Sequence, residues 1–202
     1  MERRHFLQST AIFTALGISP TFLQNFSESP TDPIKPFLLQ GEKPLAHNGG
    51  MDIKVWVRNT ATNGLFSSVE CAVAPKLMGP APHAHKELDE LMYVIEGTAS
   101  VLLGDEIVEI NAGGWHMRPR MIKHTFFNAS DKPLRFIDMY FNQPFEEYLE
   151  AIFHQLTPEN GYTNESEKKS KEIKRLSENF GLIRYENSEE QKKQIMKEYG
   201  LK

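Results

Sequence analysis

The stretch PHAHKELDELMYVIEG, from Pro82 to Gly97, sets two histidines one residue apart, then a knot of carboxylates, then an apolar run closed by glycine. Histidine and glutamate are poor residues to bury in a strand unless something satisfies them. Residues two apart in a strand share a face, so His83 and His85 present both imidazoles to one cavity while Ala84 points away. Glu90 heads the following run and by the same parity shares its face with Met92 and Val94, whose apolar side chains keep such a site dry. Glu87 and Asp89 are rival carboxylates. Parity and the distance to Gly97 favour Glu90, leaving the other two in a loop or at the mouth of the site. A fourth candidate follows in GGWHMRPRMIKHTFFN, Gly113 to Asn128, where a strand enters, turns at Pro119 and emerges at His124. Three neutral imidazoles and one carboxylate suit a divalent transition metal (Fe, Mn, Ni, Cu or Zn) and leave coordination positions free.

His116 and Arg118 share one face of the strand before Pro119. If that face is the cavity, they place a cation and a titratable group beside the metal, suited to an anionic or phenolic substrate, with Met92 lining the same space. If it is the outer face, both are solvated. Arg120, in the turn, reads as a surface residue.

These residues need a scaffold of many short strands. From Met51 to Phe141 the chain shows brief alternating runs, at Ile53/Val55/Val57, Val69 to Ala74, Leu91 to Ile95, Val101 to Leu103, Ile107 to Ile110, Thr125 to Phe127 and Leu134 to Phe141. Gly97, Gly104-Asp105, Asn111-Ala112-Gly113 and Asn128 to Asp131 punctuate them, and this spacing means a sandwich or barrel. After Pro144 the period changes. Phe145, Tyr148, Leu149, Ile152, Phe153 and Leu156 form one helical stripe, expected to pack on the barrel and cover part of the outer face of the strand from Glu90, where Leu91, Tyr93 and Ile95 point outward. Beyond Pro158 come two charged helical patterns with thin stripes, Ile173/Leu176/Phe180 and Ile195/Tyr199, read as a solvated tail that docks loosely or meets a second subunit. The expected organisation is a segment at 1–23, a linker and arm at 24–50, the barrel at 51–143 and a helical extension at 144–202.

The chain has 202 residues with 40% apolar content, enough for one sizeable core. A net charge of -4 offers no basic field for nucleic acid. The single cysteine, Cys71, rules out an internal disulfide and sits in an apolar alternation, as an inert buried thiol would. At the N-terminus, MERRHFLQSTAIFTALGISP carries paired arginines and a mildly apolar run too short to span a membrane. Arg3-Arg4-His5-Phe6-Leu7 resembles a twin-arginine export signal, with Glu2 where Ser or Thr is usual and Gln8 where Lys is common. Ala15-Leu16-Gly17 is the nearest small-x-small site for cleavage. A periplasmic destination is expected, with an ordinary cytoplasmic helix as the alternative.

Gly79 to Gly97 resembles the first motif of the cupin superfamily: glycine, His-x-His, four residues, Glu90, six residues, Gly97. Gly113 to Asn128 resembles the second: glycine, five residues, Pro119, then His124 and Asn128. Met121 departs from it, standing where a turn glycine is common. The resemblance implies that His83, His85, Glu90 and His124 are metal ligands on an all-β double-stranded β-helix (jelly-roll) barrel, here with C-terminal α-helices. It also implies a metal-dependent oxygenase similar to the quercetin-dioxygenase-like cupins, with Glu90 as ligand and base for a small phenolic or keto-acid-like substrate. A non-catalytic exported binding protein and a metal-dependent isomerase or decarboxylase are the alternatives. The doubly apolar strand from Glu90 further suggests a homodimer.

Overall fold

The computed structural model describes residues 33–202 apart from Glu165. The expected export segment at 1–23 and the first part of the arm lie outside the described residues. The barrel is two antiparallel sheets whose inner faces share one core. The first runs in the order β1 (Met51–Val57), β2 (Phe66–Val73), β10 (Leu134–Phe141), β5 (Asp89–Glu96), β8 (Trp115–Arg118). The second runs β11 (Leu182–Arg184), β4 (His83–His85), β9 (His124–Asn128), β6 (Thr98–Leu103), β7 (Glu106–Asn111), with β3 (Leu77–Met78) also paired to β9. Sequence alternation decides which side chains enter the core. In β10, Leu134, Phe136, Asp138 and Tyr140 are buried and their neighbours are not. In β5 the buried set is Glu90, Met92 and Val94.

Two glycines are demanded by close approach. Gly97 turns β5 into β6 with φ +80°, and a Cβ there would stand 2.4 Å from the Pro133 carbonyl oxygen. At Gly79 a Cβ would lie 2.1 Å from the Phe126 carbonyl oxygen, so only glycine lets the lead-in to β4 cross β9. Met121 takes the left-handed conformation, φ 64°, despite having a side chain, and its N–H donates to the His85 carbonyl at 2.8 Å. The turn geometry that usually calls for glycine is thus adopted, with the cost of Met121's Cβ left in place.

The C-terminal region differs from the expected tail. Helix α1 (Phe145–Glu150), continued by a wider π turn over Ala151–Gln155, lies over the mouth of the barrel rather than over the outside of β5. Phe145 packs against His85 and Tyr140, with ring centroids 5.0 and 5.1 Å away. Helix α2 (Glu167–Asn179), β11 and helix α3 (Ser188–Tyr199) are docked firmly. Phe180 rests on Phe145 and Tyr148, Ile195 is buried with Met78, Leu102 and Phe127, and Tyr199 packs on Phe127 at 4.9 Å. The physical reason is β11, which pairs with β4 and ties the two thinly apolar helices to the second sheet. No described helix is long and apolar enough to cross a membrane.

Candidate metal centre

Three imidazoles converge from the second sheet. β4 supplies His83 and His85 on one face, and the β4–β9 pairing sets His83 directly opposite His124. Ring centroids are 4.9 Å apart for His83–His85, 4.8 Å for His83–His124 and 5.3 Å for His85–His124. One nitrogen from each ring lies within 4.8 Å of the others, within reach of a single ion. His85 and His124 are buried, and His83 is largely covered.

The backbone selects which nitrogens face inward. His83 Nδ1 is 2.9 Å from the Ala81 carbonyl and His124 Nδ1 is 2.9 Å from the Ile122 carbonyl. With Nδ1–H donating in each case, the Nε2 lone pair is left free to ligate. Burial, with the neighbouring His124 and His85 rings, pushes His83 down to about 3, so its imidazole stays neutral at physiological pH. Both nitrogens of His85 and Nε2 of His124 are buried without a hydrogen-bond partner. Such orphaned nitrogens are what a bound metal resolves, so the residues present fit a transition metal.

Glu90 reaches the imidazoles from the opposite sheet. Its Oε1 lies 3.0 Å from His85 Nε2 and its Oε2 3.4 Å from His124 Nε2. Burial alone would raise this carboxyl, but Arg118 and the facing His124 and His85 overrule it and hold Glu90 well below the usual carboxylate range. The rival carboxylates point elsewhere. Glu87 is exposed, and Asp89 accepts from the Arg120 backbone N–H at 2.8 Å and pairs with the Arg120 side chain.

The structure resolves the two possibilities for Arg118. It is 1% exposed, sits opposite Glu90 in the β5–β8 ladder and lines the cavity. Its Nη2 donates to Asp138 Oδ1 at 2.5 Å. Its Nε stands 3.0 Å from Glu90 Oε2, close enough for an ion pair but misaligned for a hydrogen bond, and Nη1 has no partner. Asp138 is not among the residues that the motif spacing picks out, although an acidic residue at the inward parity of the Leu134–Phe141 alternation is a readable signal. Burial and the adjacent Glu90 raise Asp138 despite Arg118, and Tyr140 donates to its Oδ2 at 3.3 Å. His116 and Met92 face each other one step deeper in the same ladder. Met92 is fully buried in the core and His116 half-buried, and neither is part of the cavity wall. Burial also pushes the Cys71 thiol well up, so it stays a thiol.

The cavity these groups share is about 700 Å³. Its wall is mostly apolar, with Met51, Leu77, Phe126, Phe145, Tyr148 and Ile152 among its members, and Glu90, Arg118 and Asp138 gather at its base.

Residues 69–140, just over a third of the chain, match the Cupin domain family. No curated protein matches the chain. Among solved structures, the plu4264 protein from Photorhabdus luminescens is similar at 21% identity, covering 57% of this chain and 99% of its own, with a TM-score of 0.44. KdgF from Halomonas sp. is similar at 19% identity over 48% of this chain and 84% of its own, with a TM-score of 0.43. The polyketide cyclase RemF from Streptomyces resistomycificus is similar at 23% identity over 46% of this chain and 66% of its own, with a TM-score of 0.41.

Proposed function

We propose that this protein is a cupin-type metal-dependent oxygenase acting on a small phenolic or keto-acid-like substrate, with His83, His85, His124 and Glu90 holding a divalent transition metal. The observation that carries the reading is the set of inward, unpartnered imidazole nitrogens facing one ionised carboxylate across an apolar cavity. A bound metal supplies open coordination positions at which an oxygen-bearing ligand, or dioxygen, is activated. The chain supplies the rest. Apolar side chains exclude water, and the free Nη1 of Arg118 is a donor for a substrate oxygen. Glu90 Oε1, left by Arg118 on the side of the imidazoles, is the atom that accepts a proton from a phenol or enol. Met92 and His116 back this pair from one layer behind.

Elemental analysis of gently purified protein, before and after His124→Ala, tests the ligand set. The variant should lose stoichiometric metal, and full metal in a folded variant would refute the assignment. Oxygen uptake by metal-loaded protein against phenols and keto acids tests the chemistry. Turnover without oxygen consumption would transfer the reading to an isomerase or decarboxylase, and saturable binding without turnover to a binding protein.

Two proposals concern the molecule's setting. Arg3-Arg4 directs export of the folded, metal-loaded protein to the periplasm, and changing both to Lys should retain it in the cytoplasm. The outer face of β5 and β8, where Tyr93 packs at a tilt on Trp115 and Trp115 and Met117 are exposed, is covered by a second copy of the chain.

A further inference from the structure

The metal reading leaves part of the cavity wall unused, and that part comes from the C-terminal extension. β11 lies antiparallel to β4 with Leu182 opposite His85, Ile183 opposite Ala84 and Arg184 opposite His83. Directly opposed residues of an antiparallel pair project to the same face. Leu182 and Arg184 therefore project with the two imidazoles, and both line the cavity, whereas Ile183 turns away with Ala84. Helix α3 adds Lys192 and Glu189 to the same wall.

The charges on this wall are unbalanced. Arg184 Nη2 donates to the neutral Ser177 hydroxyl at 3.2 Å, and among the described residues no carboxylate pairs with Arg184 or with Lys192. Glu189 offsets one of the two cations, leaving the rim one positive charge in excess. Most other exposed arginines here do hold a carboxylate: Arg58 pairs with Glu150, Arg120 with Asp89 and Arg175 with Glu172. Arg184 is the exception, and it is the one placed across from a candidate ligand histidine.

We infer that the extension completes the ligand site, and that Arg184 is a specificity-determining residue that orients the carboxylate of a ligand whose apolar body lies along Leu182, Ile173, Tyr148 and Leu149. A guanidinium binds a carboxylate through two parallel N–H donors, which fixes orientation as well as charge. Lys192 contributes a point charge at the rim. The inference rests on this cavity being the ligand site and is independent of the oxygenase chemistry.

The test uses the full chain loaded with Zn(II), which has no redox chemistry, and calorimetric binding of three acid–amide pairs: benzoate, 3-phenylpropionate and octanoate against their amides. The acid that fits the cavity should bind about tenfold more tightly than its amide. Arg184→Met should reduce that preference to about twofold with zinc stoichiometry unchanged, and Arg184→Lys should keep part of it. Should Arg184→Met fail to fold, Arg184→Gln provides the same comparison. Repeating the pairs on zinc-free protein separates Arg184 from the metal, because a preference due to Arg184 survives zinc removal. An undiminished preference in folded Arg184→Met overturns the inference while intact zinc binding leaves the metal centre standing. Wild-type protein that favours no acid over its amide, whether both bind or neither does, overturns it as well.

Discussion

Replacing Arg118 by Met is the most informative single perturbation of this protein. Arg118 is the cation between two buried carboxylates, Asp138 at 2.5 Å and Glu90 at 3.0 Å. Methionine fills similar apolar volume but removes the charge, leaving both carboxylates buried and facing each other without a counter-ion. Breaking a buried ion pair from one side costs about 3–5 kcal/mol. For a chain of this size each kcal/mol corresponds to about 2–4 °C, so metal-free Arg118→Met should melt about 6–20 °C below metal-free wild type. Two further measurements identify the mechanism. Adding Asp138→Asn should recover a large part of the loss, because it removes one uncompensated charge. Adding Zn(II) should stabilise the variant more than the wild type, because a dication beside Glu90 replaces the missing guanidinium. The assay is denaturant and thermal unfolding of all four combinations with and without zinc. A metal-free loss below about 1 kcal/mol, or an Asp138→Asn change that deepens the loss, would refute the view that Arg118 is the counter-ion of this cluster.

Met121→Gly should raise stability by about 0.5–1 kcal/mol, since relief of the left-handed strain exceeds the entropy glycine adds to the unfolded chain. The check is a melting temperature higher by about 1–4 °C, and a decrease would show that the exposed Met121 side chain matters. Glu70 should control part of the acid stability. It is buried, yet hydrogen bonds from the Trp56 indole, the Leu45 N–H and Arg135 hold it below the ordinary 4.5. Its folded value is depressed, so the stabilisation is present above 4.5 and is lost as pH falls through the folded value. Wild type should therefore lose an advantage over Glu70→Gln between pH 6 and pH 3, as read by urea unfolding, and parallel curves would disprove the assignment. Light scattering at micromolar concentration should give twice the chain mass, falling to a monomer for Trp115→Glu; a monomeric wild type would leave the β5–β8 face uncovered.

Much of this architecture is legible in the residue pattern, and the exceptions have physical causes. Strict alternation in Leu134–Phe141 and Glu90–Val94 sorts the side chains into two faces, and in the second run Glu90, Met92 and Val94 are the expected inward set, which the structure buries. His83, His85 and His124 come together because two of them share a strand face and the third is its cross-strand neighbour. Arg118 was ambiguous since parity groups residues by face without saying which face is inward, and only pairing with Glu90 decides it. Asp138 escapes a pattern reading because its partner is 20 residues away in sequence. β11 is three residues long, too short for any periodicity, and it lies between two charged helices that dominate the local pattern. Without it the helices look unanchored.

The pairing of β11 with β4 also sets an order of events during synthesis. Residues 51–141 contain every strand of the barrel except β11, so the histidines can be brought together while the segment that closes over them is still being made. An ion arriving then would meet an open bowl, and one arriving later a narrower entrance. Once α3 and β11 have settled, Leu182, Arg184 and Lys192 stand in the cavity wall beside the imidazoles. Assembly of the imidazole triad and completion of the wall around it are thus separate events in time, and a ligand that fills the whole cavity has to wait for the second.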